Sequence, residues 1–285
     1  MAKKIKELTS VMTGREDLPE TMRYEEELNG ARLALDNGCY EQAWQHYYNL
    51  YCIEPDKDLP INNYRGKGAL GLCKVLQSIP ADHAIVTNLI ETDPDLIRRK
   101  SFKTITNSFA RRFIGRKYLF YAADECEYYP AMFEYALNCL GKGPKNSFIF
   151  EYNDRDAQTG VQWANKLIQS KDRKQRACGY IVKAIYYFAK YTKEGKSPEE
   201  AKSFCNHVLL AKDFNGLENE YTLYFYGHMI TDPNFAGFEN GRHYNVRYGY
   251  DLLNKYLEIG TDPDLIASAK RIIAALDTKY KSKLK

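Results

Sequence analysis

Few residues in this chain are of a type and spacing suited to chemistry. Cys205 and His207 offer a thiol and an imidazole two positions apart, His228 stands alone, and His243 has Glu239 and Asp251 as carboxylate neighbours in sequence. Nucleophilic catalysis needs a base in hydrogen-bond contact with the nucleophile and a third group that orients the base. Two positions apart on a helix, Cys205 and His207 project to different sides, so that pair fails the requirement. His243, in Asn240-Gly-Arg-His-Tyr-Asn245, is the remaining candidate, but isolated histidines are more often surface or capping groups. There is no Cys-x-x-Cys pair, no His-Glu-x-x-His helix and no phosphate-binding glycine loop. The expectation is therefore a non-catalytic chain without metal or cofactor.

Binding chemistry is better represented. Arg98, Arg99, Lys100, Lys103, Arg111, Arg112, Arg116 and Lys117 occur with no acidic residue between Asp95 and Asp124, although the whole chain carries 41 basic against 37 acidic residues. Guanidinium groups form bidentate, charge-assisted bonds to carboxylate or phosphate, so Arg98, Arg99, Lys103, Arg111, Arg112 and Arg116 are candidates for contact with an acidic partner. The competing reading is a solvated helix face paired with Asp124, Glu125 and Glu127. Tyrosine is abundant, at 24 of 285 residues. Tyr221, Tyr224, Tyr244 and Tyr248 are candidates for an aromatic recognition surface, against the alternative that tyrosines fill wedges between helices.

These residues must be positioned by helices. Trp44, Tyr47, Tyr48 and Tyr51 recur at i, i+3, i+4 and i+7; Tyr180, Ala184, Tyr187, Phe188 and Tyr191 make a second stripe, and Leu265, Ala269, Ile272, Ile273 and Leu276 a third. Such stripes are expected to be buried faces. Asp93-Pro94, Asp232-Pro233 and Asp262-Pro263 read as helix starts, and Ser197-Pro-Glu-Glu200 as a capping box. Helices are expected near 20–36, 39–53, 62–77, 81–91, 94–115, 130–140, 156–170, 173–193, 198–212, 216–229, 242–259 and 263–282. Only Ser147–Tyr152 looks strand-like.

Composition is that of a folded protein, 44% hydrophobic and 27% charged, with a formal net charge of only +4. No apolar run approaches the length of a membrane span, so no membrane contact and a cytoplasmic location are expected. The seven cysteines, odd in number and set mostly within apolar patterns, are expected to be free and buried.

Between Glu27 and Pro55 the chain resembles a tetratricopeptide repeat. Asn37-Gly38-Cys39-Tyr40 supplies the turn, Ala43 and Tyr47 the small and aromatic positions of the second helix, Pro55 its end, and Ala31 the small position of the first helix. Glu27 departs from the pattern, which usually has a large apolar residue there. Ala189, Gly195, Ala201 and Phe204 resemble the related SEL-like repeat, and Thr92-Asp-Pro-Asp-Leu-Ile97 recurs as Thr261-Asp-Pro-Asp-Leu-Ile266. The resemblance implies an all-α solenoid of antiparallel helix pairs: an N-terminal segment 1–19, a helical half 20–140, a loop or hinge at 141–155, and a second half 156–285. It also implies a scaffold that binds a partner protein or peptide on a concave surface. The alternative readings are a nucleic-acid-associated protein using the basic segment 98–117, a helical enzyme subunit, or, for the fold, a helical bundle without repeats.

Overall fold

The computed structural model describes residues 20–54, 61–101, 104–142, 155–193, 195–214, 216–236 and 245–280. Among them every regular element is helical. The chain forms two compact units, residues 1–128 and 129–285. The strand-like 147–152 and the N-terminal 1–19 lie outside the described residues, as does most of 141–155. The helices flanking 141–155 pack on each other inside the second unit.

In the first unit α1 (Glu20–Asp36) and α2 (Tyr40–Tyr51) are joined by a tight turn at Gly38, whose φ of 72° is the left-handed conformation that glycine adopts without strain. The Cys39 N–H closes the turn on the Ala34 carbonyl at 2.8 Å. So short a connection forces the helices antiparallel, and the rungs between them confirm it. Ala31 and Ala43, the two small positions, are both wholly buried. Glu27, where a large apolar residue was expected, accepts hydrogen bonds across the pair from His46 at 2.7 Å and Asn49 at 3.3 Å. The departure is thus a polar rung in the same interface, satisfied by partners on α2.

Helix α3 (Ile61–Ser78) runs back along α2. The approach is so close that a methyl group on Gly71 would overlap the Tyr47 ring. Two short helices, α4 (Ala84–Thr92) and α5 (Pro94–Lys100), intervene before α6 (Asn107–Asp124) returns antiparallel to α3. Across α3, Trp44 and Tyr51 of α2 meet Tyr118 of α6 edge-on, with centroids 5.8 and 5.2 Å apart. The aromatic stripe of α2 is not uniformly buried: Tyr47 faces the core, Trp44 and Tyr51 are half-buried, and Tyr48 is 38% exposed. The outer edge of the stripe, at Tyr48, stays in solvent.

The single helix expected over 94–115 is two helices. The Thr106 hydroxyl accepts the Phe109 N–H at 3.2 Å and starts α6 afresh, so residues 104–106 are not helical. Ile105 does not share a helical face with Phe109 and Phe113. Instead α5 and α6 meet through Arg99, whose guanidinium lies 4.6 Å from the Phe113 ring centre. The Asp93 carboxylate caps α5, accepting from the Asp95 and Leu96 N–H groups at 3.0 and 3.1 Å.

The second unit repeats the scheme with α7 (Tyr129–Cys139), α8 (Ala157–Ile168), α9 (Arg173–Lys193) and α10 (Pro198–Asp213), each packed on the one before, and with α7 also touching α9. A Cβ on Gly179 of α9 would stand 2.6 Å from the Ala164 carbonyl of α8, so these two backbones touch. The expected capping box at Ser197 does not form. Ser197 instead bonds Glu199 at 2.7 Å, and Glu200 turns to Lys190 of α9 at 2.6 Å, because an ion pair across the interface competes for that carboxylate. After a 3-10 turn (Gly216–Glu218) come α11 (Glu220–Thr231), α12 (Pro233–Ala236), α13 (Val246–Ile259) and α14 (Pro263–Tyr280). Phe188, Phe204, Phe225 and Phe235, from α9 to α12, form one aromatic core, with Phe204 and Phe235 centroids 4.9 Å apart. The cysteines are all free, but Cys39 and Cys52 are exposed, because both sit at the turns that end helices rather than on buried faces.

Close approach at small residues predicts intolerance to added volume. Ala43→Leu and Gly179→Ala should each destabilise the chain by about 1–3 kcal/mol, read as a lowered urea midpoint. An unchanged midpoint for Ala43→Leu would show that α1 and α2 do not meet there.

Candidate functional site

The basic segment divides between two helices and is largely employed within the fold. Arg111 donates to the carbonyl of Ile79, just past the end of α3, and so satisfies a helix-terminal acceptor. Desolvation there, with Arg112 nearby, lowers its pKa from the usual arginine value. Arg112 and Arg116 are half-buried. Lys117 bridges Asp93 at 3.2 Å and Asp95 at 2.7 Å, so the acidic residues that are missing from the segment in sequence return to it in space. Arg98, Arg99 and Lys100 remain exposed on α5, and Lys103 lies outside the described residues.

The aromatic candidates separate in the same way. Tyr221 and Tyr224 are 2% and 1% exposed and cannot meet a partner from solvent. The Tyr224 hydroxyl donates to Ser268 at 2.8 Å, and burial pushes the Tyr221 phenol well above its ordinary pKa. The cause is that α11 is enclosed on nearly all sides, every residue from Tyr221 to Gly227 being buried. Tyr248 is 41% exposed on α13, edge-on to Tyr226, while Tyr244 lies outside the described residues.

For catalysis the geometry is unpromising. Cys205 reaches the Phe235 carbonyl at 3.8 Å, whereas the His207 Nδ1 bonds the Ser203 carbonyl at 2.7 Å, so thiol and imidazole face different neighbours. His228 is ringed by Phe188, Tyr224 and Phe235. Burial lowers its pKa, with Asp232 at 3.8 Å opposing only in part. Asp251 is exposed beside Arg247, and His243 and Glu239 lie outside the described residues. Among the described residues no group of three or more His, Cys, Asp or Glu is placed to hold a metal ion, and no helix is long and apolar enough to cross a membrane.

Two surface depressions take the place of those candidates. One, of about 410 Å³, lies between α1 and α3 and is lined by Thr21, Met22, Glu25, Glu26, Asn29 and Tyr64. Its polar rim is organised: the Tyr64 hydroxyl donates to Glu25 at 2.7 Å, and Lys67 lies 3.5 Å from the same carboxylate and 4.4 Å from the Tyr64 ring centre. The Tyr64 hydrogen bond, then Lys67, hold the Glu25 carboxyl below its usual pKa. The other, of about 680 Å³, lies where the α8–α9 turn meets the end of α10. Sequence reasoning passed over it, although four cations in the six positions from Lys171 to Arg176, ahead of an amphipathic run, were there to be noticed.

Two predictions follow from the employed side chains. Arg111→Ala should cost about 1–2 kcal/mol by orphaning the Ile79 carbonyl, whereas Arg98→Glu should change stability by no more than about 0.5 kcal/mol; equal costs would show that Arg111 is not held in the fold. His207 and His228 both have lowered folded pKa values, burial being the main cause. A lowered histidine pKa stabilises the fold above the unfolded value of 6.5 and loses that contribution as pH falls below it. The melting temperature should decline below pH 6.5, less steeply in His228→Phe; an identical decline would exclude His228 as a cause.

No family model, curated protein or solved structure matches this chain.

Proposed function

We propose that the chain is a non-catalytic interaction module, a solenoid of the tetratricopeptide kind, that grips a segment of a partner protein on exposed helix faces of its first unit. The observation that carries this reading is the packing order. Within each unit the long helices contact their neighbours in sequence, and α1 reaches past α2 to touch α3. Stacking of that kind buries one face of each helix and leaves another as a groove in solvent. The depression between α1 and α3 is such a groove, with Met22 55% exposed and Tyr64 half-buried. An aromatic ring beside a flexible thioether suits an apolar side chain of a partner. Arg98 and Arg99, exposed on α5, are the part of the expected cationic surface available to an acidic partner.

The test is partner capture from the source cell with paired variants. Met22→Asp with Tyr64→Ala should weaken binding of the captured protein by at least about tenfold while the fold is kept. Arg98→Glu with Arg99→Glu should weaken it further if the partner is acidic. A captured set unchanged by both pairs would remove the groove and α5 from the function.

A further inference from the structure

The depression in the second unit concentrates like charge. Lys171, Arg173 and Lys174 from the turn into α9 and Lys212 from the end of α10 line it, against two carboxylates, Asp172 and Asp213, with Arg176 and Glu218 just outside the lining. Cations brought this close repel one another, and the fold holds them there by specific contacts. Arg173 and Arg176 both lie on the Phe214 ring, 5.6 and 4.5 Å from its centre, and Arg173 donates to the Asp213 carbonyl at 2.8 Å. Lys174 meets Glu218 at 2.9 Å and Lys212 meets Asp213 at 3.1 Å. Asp172 accepts the Gln175 N–H at 2.9 Å and so serves to start α9. The positive end of that 21-residue helix adds to the field.

We propose that this depression binds the dianion of a phosphomonoester. Arg173 spends one of its five N–H donors on Asp213, and Lys171 is exposed, which leaves fixed and mobile donors facing the same space. Four cations against two carboxylates in the lining leave an excess of two positive charges, which matches the charge of a phosphate monoester dianion. A long phosphate backbone fits poorly, because Asp172 and Asp213 in the wall and Glu218 beside Lys174 would face successive phosphates and repel them. The exposed ring of Tyr248 stands against Tyr226, which in turn lies 5.5 Å from the Lys212 ammonium, so apolar surface adjoins the cations.

The test is a titration of the isotopically labelled full chain, followed by amide shifts at constant ionic strength, with inorganic phosphate, acetate and a serine-phosphorylated peptide in turn. Phosphate should give saturable shifts centred on Lys171–Arg176 and Lys212–Phe214, and acetate almost none. Lys171→Gln with Lys212→Gln should lower phosphate affinity by about fivefold or more, and Lys202→Gln, on the exposed side of α10, should not. A peptide that binds at least about tenfold tighter than inorganic phosphate identifies a phosphorylated protein as the source; equal affinity identifies a small phosphate compound. Unsaturable shifts scattered over surface lysines, or a double variant that binds as before, would overturn the proposal. So would tighter binding of a single-stranded oligonucleotide with the steep salt dependence of many phosphate contacts.

Discussion

Close approach of neighbouring helices at small residues is the constraint on which both units depend. Ala31 and Ala43 let α1 and α2 meet, Gly71 lets α3 lie against the Tyr47 ring, and Gly179 puts the backbone of α9 on that of α8. At Gly71 the small residue is answered by the large Tyr47 ring, and such a fit fixes where one helix sits along the next. The positions of candidate side chains follow. Tyr64 faces Glu25 because α3 is seated against α1 and α2, and Arg111 reaches Ile79 because α6 returns along α3.

The polar contacts then decide which charges remain exposed. Asp93 stabilises the start of α5 and, with its other oxygen, meets Lys117 of α6. One carboxylate therefore closes a helix and neutralises a cation that looked unopposed along the chain. The turn into α9 shows the converse, since its cations keep an excess after their local partners are counted. A run of like charges in sequence and a field of like charge in space are different objects, and the fold sets them apart here.

Much of the architecture is legible in the residues because helix ends carry local chemistry. Asp93, Asp232 and Asp262, each before a proline, all cap helices with their carboxylates, and the recurring Thr-Asp-Pro-Asp-Leu-Ile opens α5 and α14. The break before Asn107 is not legible, since Ile105, Phe109 and Phe113 follow one another at the helical spacing i, i+4 and i+8, and the Thr106 hydroxyl is what starts the helix afresh. The site was harder to read for another reason. Tyr221 and Tyr224 look like surface aromatics, yet α11 is buried all round, a property of its neighbours that its own periodicity does not carry. The depression at Lys171 and Lys212 joins positions from two helices, which only the packing of α9 on α10 brings together.

The order of packing has a consequence for how the chain is made. Within the first unit α1 finds its main partner in α2 and α2 in α3, and in the second α7 to α10 follow the same rule. Most contacts therefore close short loops, the condition for rapid folding. A ribosome releasing this chain from its N-terminus would free α1 and α2 to dock before α6 had been synthesised, and the first unit could be complete while the second was still being translated. Nascent surface would be covered in the sequence in which it appears, so little apolar face would wait exposed for a distant segment.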